Sequence, residues 1–484
     1  MVSAKKTIHI EPVTRVEGHG KVSIQLDENN QVTQARLHIV EFRGFERFIL
    51  GRPYWEVPVL VQRLCGICPV SHHLAAAKAM DLIHGVEELS PTAEKMRRLM
   101  HYGQHFQSHA LHFFHLCSPD LLFGFDADVA IRNVIGVARK FPDLAVQGVM
   151  MRKYGQEVIK RTAGKKIHGT GAIPGGINKN LSTEEHDELI NGFGDMPGID
   201  QMLEWSRGAL KIAKDYTLDN LDSVADFGSF DSNHLGFVKE DGAMDLYHGN
   251  LRAVDKDGNK IFDQIDYQTY TDYIQEEVRP WSYMKFPFIK SVGPKDGWYR
   301  VGPLARINVC DSIDTPEADA ELKEFRKATG TACCNITMAY HWTRMIELLH
   351  SCEKIKQLLE DADLQGEELV RTGERRGEAV GLIEAPRGTL FHHYEVDEND
   401  QVTMANLIVS TTHNNVPMNR AVQKVAADHI SGQAEITEGL LNHVEVAIRA
   451  YDPCLSCATH ALGRMPLDVE LLDASGQVVD HKRT

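Results

Sequence analysis

Two cysteine pairs stand at opposite ends of the sequence, in Arg63-Leu-Cys65-Gly-Ile-Cys68-Pro-Val-Ser-His72 and in Asp452-Pro-Cys454-Leu-Ser-Cys457-Ala-Thr-His460. The two-residue spacing lets both thiolates of a pair face one ion from a single turn, so together they offer a four-sulfur metal site. Soft thiolates select zinc, iron, nickel or copper over magnesium or calcium, which sets the class of ion and leaves its identity open. A structural zinc clasp fits the ligand set as well as a catalytic centre does, although closed zinc sites usually bring their pairs much closer in sequence. The other cysteines, Cys117, Cys310, Cys333, Cys334 and Cys352, show neither this spacing nor a ferredoxin-like run, so the chain is not expected to hold an iron–sulfur cluster.

Other chemistry-bearing patterns are weaker. His101, His105, His109 and His112 fall on one face of an expected helix, where they form either a second metal site or a buried stripe that hydrogen-bonds neighbouring helices. No carboxylate accompanies them at matching spacing. The Gly-rich Gly169-Thr-Gly-Ala-Ile-Pro-Gly-Gly176 lacks the spacing of a dinucleotide fingerprint and reads as a structural loop. Asp255-Lys-Asp-Gly-Asn259 lacks the acidic twelfth position of a calcium loop and reads as a tight turn.

If both cysteine pairs share one ion, the ends of the chain must meet, and its 484 residues cannot be independent beads. The formal net charge of −16 argues against a nucleic-acid or anionic-membrane surface, and no apolar run approaches the roughly 18 residues that span a bilayer. The N-terminal Met1-Val-Ser-Ala-Lys-Lys lacks an apolar signal core, so a cytoplasmic location is expected, with the nine cysteines as reduced thiols and metal ligands.

The elements that must position these residues are mostly helical. Ser90-Pro91-Thr-Ala-Glu94 is a capped helix start with proline at the first helical position, and the pattern runs to about Leu116. Helical periodicity also covers roughly 150–164, 316–328, 337–361 and 418–429. Lys21–Leu26 and Arg36–Val40 alternate around Asp27-Glu-Asn-Asn-Gln31 as a β-hairpin, and Tyr394–Val409 shows similar turn grammar. The polar, Gly-punctuated stretches Asp187–Gly198 and Glu367–Glu378 are expected as surface excursions.

The residues around the cysteines closely resemble the two signature motifs of the large subunit of nickel–iron hydrogenases. Glu11-Pro-Val-Thr-Arg15-Val-Glu17-Gly-His19, Glu384-Ala-Pro-Arg387-Gly and Ala458-Thr-His460-Ala-Leu-Gly463 resemble that family as well, in the same order along the chain. Glu41-Phe-Arg-Gly-Phe-Glu46, Pro91-Thr-Ala-Glu-Lys-Met-Arg-Arg98 and Cys454–Gly463 look most like its soluble, bidirectional NAD-reducing type. The resemblance implies an α+β, mainly α-helical fold with a central helical bundle and peripheral antiparallel β-sheets. It implies one interwoven domain over 1–460 and an extension, 461–484, removed on maturation.

For the site, the resemblance implies Cys65 and Cys454 as terminal nickel ligands, with Cys68 and Cys457 bridging to an iron that carries carbon monoxide and cyanide. Arg387 would lie over the metals, oriented by Asp452. Thr411 would donate to a cyanide and His72 to the bridging sulfur. Glu17 would take the first proton from sulfur, its carboxylate pKa raised by burial, unless it is engaged in a salt bridge with Arg15. A magnesium or iron ion near the C-terminus would be bound by Glu46, His460 and the carbonyl of Leu407. Ser108 replaces an aspartate that membrane-bound relatives place near the arginine. Expected partners are an iron–sulfur small subunit, a flavin-containing diaphorase that reduces NAD, and maturation factors: a protease and nickel-insertion proteins. Neither iron–sulfur cluster, flavin nor NAD is expected on this chain. Acceptors other than NAD (a deazaflavin, ferredoxin or sulfur) remain open.

Overall fold

The computed structural model describes residues 6–40, 44–459, 468–472 and 477–483; His460 lies outside them, as do Glu41 to Arg43. The alternating N-terminal segment folds as a three-stranded antiparallel sheet, β1 (Lys6–Ile10), β2 (Gly20–Leu26) and β3 (Val32–Ile39), with β2 in the middle. Val22, Ile24 and Leu26 are buried in the core while Lys21, Ser23 and Gln25 between them are half-buried, as a period of two requires. Asp27 closes the turn by accepting from the backbone N–H of Asn29 at 2.8 Å and of Gln31 at 2.9 Å.

Among the helices are α1 (Pro69–Ile83), α2 (Pro91–Leu111), α3 (Pro142–Ala163) and α4 (Ile199–Asp219), followed later in the chain by α5 (Pro303–Val309), α6 (Tyr340–Leu359), α7 (Asn415–Ile430) and α8 (Glu438–Ala450). At the start of α2 the Ser90 hydroxyl accepts from Ala93 N–H at 3.2 Å. Helix α2 packs against α3 and α6, and α6 against α4, forming the central bundle. The α2–α3 crossing is close because glycines face each other: a Cβ on Gly155 would stand 2.7 Å from the Gly103 carbonyl oxygen. Beyond Leu111, α2 opens into a wide π-helical turn, His112–Cys117.

Between α4 and α5 a six-stranded sheet is built on β4 (Asn233–Val238), β5 (Asn250–Val254) and β6 (Lys260–Ile265). Tyr299–Arg300 and Ser312–Ile313 join it by short parallel pairings, which makes it mixed. The third main sheet, antiparallel β7 (Glu378–Ala385), β8 (Gly388–Val396) and β9 (Val402–Ile408), lies inside the molecule, with α1 on it. Gly381 permits that contact, since a Cβ there would meet the Ala75 carbonyl oxygen at 1.9 Å.

Two expectations of irregular surface differ in outcome. Asp187–Gly198 is partly helical: Ser182 and Glu185 form a reciprocal capping box for the helix Thr183–Asn191, and a small hairpin buries Met196. Glu367–Glu378 is largely irregular and exposed. The Asp255–Asn259 segment is a turn joining β5 and β6. Asp468–Leu472 and Val478–Arg483 pair as an antiparallel hairpin in the segment expected to be removed.

Candidate metal centre

Local structure places each thiol before any ion is involved. Cys65 ends a short 3₁₀ turn, Val61–Leu64, and its sulfur accepts the N–H groups of Ile67 at 3.2 Å and Cys68 at 3.1 Å. Cys68 precedes α1, whose first residue is Pro69. At the other end of the chain Asp452 adopts a left-handed φ of 53°, turning Pro453 and Cys454 back across the N-terminal segment. There Leu455 N–H donates to the Glu17 carbonyl at 3.0 Å, and Cys454 N–H to the Thr411 hydroxyl oxygen at 2.9 Å.

The four sulfurs lie within 4.8 Å of one another, all in buried residues; Cys65 Sγ stands 3.4 Å from Cys454 Sγ, and Cys454 Sγ 2.6 Å from Cys457 Sγ. Thiolates about 2.3 Å from one tetrahedral ion stand roughly 3.8 Å apart, so small movements seat a shared metal. The thiols bias one another's protonation. Hydrogen bonds from Cys454, Cys457 and Cys65 hold Cys68 well below the ordinary thiol value, with His72 adding to the effect, whereas burial drives Cys454 and Cys457 up. The cluster thus favours the thiolate first at Cys68, within the set of sulfurs a soft cation would take.

Arg387 and Asp452 meet beside the sulfurs. Arg387 Nε donates to the Asp452 carbonyl at 2.6 Å and Nη2 to its Oδ1 at 3.0 Å, both residues being buried. Burial works against the Arg387 charge, but Asp452 and the nearby thiolates outweigh it and raise its pKa. Arg387 Nη1 and Asp452 Oδ2 have no hydrogen-bond partner among the described residues, and neither does buried Ser108 Oγ. Arg387 also lines a narrow cavity with Cys68, His72, Thr411 and Cys454. A donor left over beside four thiolates fits a nickel–iron group with acceptor ligands on its iron; a closed zinc clasp has no use for it.

Glu17 touches the cluster directly: Cys454 Sγ donates to its Oε2 at 3.0 Å, and Ser456 N–H reaches the same oxygen at 3.1 Å. It is half-buried rather than sealed in. The salt-bridge alternative is not the one Arg15 makes, because Arg15 Nη2 pairs with Asp120 at 2.6 Å and Nη1 donates to the Leu116 carbonyl at 2.8 Å. His72 Nδ1 lies 3.1 Å from His392 Nε2, and His392 Nδ1 lies 2.6 Å from the Tyr394 hydroxyl. Thr411 already accepts from Cys454 N–H, which leaves its hydroxyl proton to be donated. Glu46 is buried, and its Oε1 accepts from Leu407 N–H at 2.8 Å; both line a small cavity with Cys457 and Thr459, the residue before His460.

The histidine stripe is the hydrogen-bonding kind. Each of the four rings is buried, and Nε2 reaches Leu246 O from His101, Glu384 O from His105, Glu347 Oε2 from His109 and Arg449 O from His112. The carboxylate missing from the stripe's own helix comes from α6, but Arg306 already binds both oxygens of Glu347 at 2.6 Å. Arg306 and Arg344, wholly buried behind Arg387 and Asp452, were not singled out by sequence. For Arg344 the available signal was charge inside the apolar helix start Tyr340-His-Trp-Thr-Arg344-Met-Ile-Glu347, and for Arg306 a lone charge in Pro303-Leu-Ala-Arg306-Ile.

Comparisons with known proteins agree with this geometry. A family profile described as nickel-dependent hydrogenase matches residues 43–134 and 193–460, and one described as HoxL-like matches residues 7–42. The beta subunit of the NAD-reducing hydrogenase HoxS of Cupriavidus necator is 49% identical over 481 residues, covering 98% of each chain. An F420-non-reducing hydrogenase subunit of Methanothermobacter thermautotrophicus is 44% identical, covering 97% of this chain and 98% of that one. A crystal structure of an NAD+-reducing nickel–iron hydrogenase in the H2-reduced state superposes with a TM-score of 0.91 at 54% identity, covering 94% of this chain and 99% of that one. The nickel–iron–selenium hydrogenase of D. vulgaris Hildenborough shares the fold, with a TM-score of 0.75 at 23% identity over 94% of this chain and all of that one. The chain therefore belongs to the nickel-dependent hydrogenases, as a large subunit that joins both cysteine pairs in one centre.

Proposed function

We propose that this chain is the catalytic subunit of a nickel–iron hydrogenase that splits dihydrogen reversibly into protons and electrons, with NAD as the final acceptor. The observation that carries this is the convergence of four thiols from both chain ends against Arg387, Asp452 and Glu17. Cys65, Cys68, Cys454 and Cys457 would hold the nickel–iron group, whose iron would carry carbon monoxide and cyanide. When bound, the group supplies a soft, electron-rich site at which dihydrogen is polarised.

The chain's own residues do the rest. Cys454 Sγ takes a proton and Glu17 Oε2, in contact with it, accepts that proton and passes it toward solvent, a step its half-buried position supports. Arg387 presents a permanent charge and a spare N–H over the centre, and Asp452 fixes its orientation. His72 would donate to Cys68, and Thr411, whose hydroxyl proton is left over, would donate to an acceptor ligand of the group. Glu46, the Leu407 carbonyl and His460 would hold magnesium or iron, with Glu46 and Leu407 already side by side.

Electrons leave first to an iron–sulfur small subunit, then to a flavin diaphorase, as the names of the C. necator and H2-reduced relatives suggest for the acceptor. The work is cytoplasmic, where the nicotinamide pool lies, and no described helix is long and apolar enough to cross a membrane. Residues 1–460 act as one interwoven domain, and a maturation protease removes 461–484 after nickel-insertion proteins load the site. A deazaflavin, ferredoxin or sulfur acceptor is the nearest alternative.

Elemental mass spectrometry on the complex purified anaerobically from its source tests the centre. About one nickel per chain together with iron is the expected result. One zinc and no nickel would make the four cysteines a structural clasp and end the catalytic proposal.

A further inference from the structure

Asp452 fixes the end of the Arg387 side chain, but a different buried cation holds the backbone from which that side chain projects. Arg306 Nη1 donates to the Ala385 carbonyl at 2.9 Å and to Glu384 Oε2 at 2.7 Å, and Nη2 reaches the Pro386 carbonyl at 3.3 Å. It thus engages each of the three residues leading into Arg387. Its remaining donors go to Glu347, with Nε to Oε1 and Nη2 to Oε2, each at 2.6 Å.

The same segment is gripped from other sides. His105 Nε2 binds the Glu384 carbonyl at 2.8 Å, His109 Nε2 lies 3.0 Å from Glu347 Oε2, and Glu384 Oε1 accepts from Thr389 at 2.8 Å and Phe237 N–H at 3.2 Å. At Gly302, the residue before α5, a Cβ would come within 2.8 Å of the Arg387 carbonyl oxygen, so α5 itself presses against the segment. A parallel arrangement precedes Asp452: His112 binds the Arg449 carbonyl at 2.7 Å and Arg344 Nη2 the Ala450 carbonyl at 2.9 Å.

Neutralising Glu347 and Glu384 would require only a positive charge nearby. The observed geometry needs more, because a planar fork with five donors in fixed directions is required to reach two carboxylates and two successive carbonyls at once. A guanidinium that must stand over a metal centre to within about half an ångström needs this kind of support.

We propose that Arg306, seated by His105, His109 and Glu347, is a positioning residue for Arg387: its fork fixes Glu384-Ala385-Pro386 and thereby sets where the Arg387 guanidinium lies over the four thiols. This rests on the hydrogenase assignment of the centre.

The test is Arg306→Lys, which keeps the charge and removes the fork, in the anaerobically purified complex. The expected crystal structure shows the Arg387 guanidinium displaced and its bonds to Asp452 broken, with nickel and iron per chain unchanged. In the infrared, the cyanide bands of Arg306→Lys shift from those of the parent, and Arg306→Lys combined with Arg387→Lys adds no further shift to that of Arg387→Lys alone. Turnover falls by roughly ten- to a hundredfold with little change in KM. An Arg387 that keeps its place in Arg306→Lys overturns the proposal, whatever the activity. Absence of cyanide bands from the parent complex would instead count against the hydrogenase assignment, and the crystallographic position of Arg387 still decides the role of Arg306. Should Arg306→Lys fail to fold, Glu347→Gln keeps the shape and weakens the seat; a displaced Arg387 there supports the proposal and an undisplaced one overturns it.

Discussion

Glu17 is the single side chain on which the proposed chemistry most directly turns, because its Oε2 is the carboxylate oxygen bonded to Cys454 Sγ. Replacing it by Gln preserves the shape and the acceptor for Ser456 N–H but removes the group that can take a proton at neutral pH. Glu17→Gln is expected to lower turnover by about a hundredfold or more while nickel and iron per chain stay at parent values. Loss of the metals together with the activity would show instead that the residue holds the cluster together. Arg15 is a useful contrast: its partner is Asp120, so Arg15→Lys should disturb the fold around Leu116 and Asp120 before it disturbs proton transfer. At this scale the sequence was informative because motif spacing constrains thiols strongly. The fork of Arg306 was invisible, since its partners Glu384, Ala385, Pro386 and Glu347 are remote in sequence and only the fold assembles them.

β2 could be read because it alternates between core and half-buried positions and ends in a turn, and the helix from Pro91 because Ser90 and Pro91 mark its start, although it is buried all round from Leu99 to Leu111. Helix α1 could not: nearly every residue from Pro69 to Ile83 is buried, so no polar face marks its period. The six-stranded sheet escaped because its strands are two to six residues long, shorter than a reliable alternation. It is covered by α5, which packs on β4, a contact the sequence does not display. The α2–α3 crossing offers a direct test at this scale. A methyl group on Gly155 would stand 2.7 Å from the Gly103 carbonyl oxygen and 2.8 Å from Gln107 N, both backbone atoms that move only with their helix. Gly155→Ala should therefore separate the helices and cost about 1–3 kcal/mol, read as a lower thermal midpoint. Gly208→Ala, with open space around the Cβ on α4, is the control and should raise the midpoint slightly through helix propensity. Equal midpoints for the two variants would mean the crossing tolerates expansion.

The molecule as a whole stores many neutral imidazoles in its interior, and this sets its response to acid. Burial is the first cause in each case. It takes His101, His234 and His341 down to about 3, and His73, His109 and His350 to about 4, from an ordinary value of 6.5. The unfolded chain takes up these protons below pH 6.5, while the folded chain resists them until near pH 4 or 3. Stability is therefore fully present above pH 6.5 and falls as the pH drops, by about 1.4 kcal/mol per pH unit for each such histidine. Glu347 works the same way at lower pH: burial would raise its carboxylate, but Arg306 and His109 hold it at about 2, so its contribution drains away between 4.5 and 2. Because the histidines lie on α1, α2, β4 and α6, their protonation loosens the bundle and the six-stranded sheet together rather than one surface element. The thermal midpoint of the complex should accordingly fall steadily from about pH 6.5 to 5, well before ordinary carboxylates titrate. A midpoint that stays level to about pH 5 would mean that these rings are already protonated in the folded state, each with a counter-charge nearby, and the His105 and His112 bonds to backbone carbonyls would then be the donors of imidazolium rather than of neutral rings.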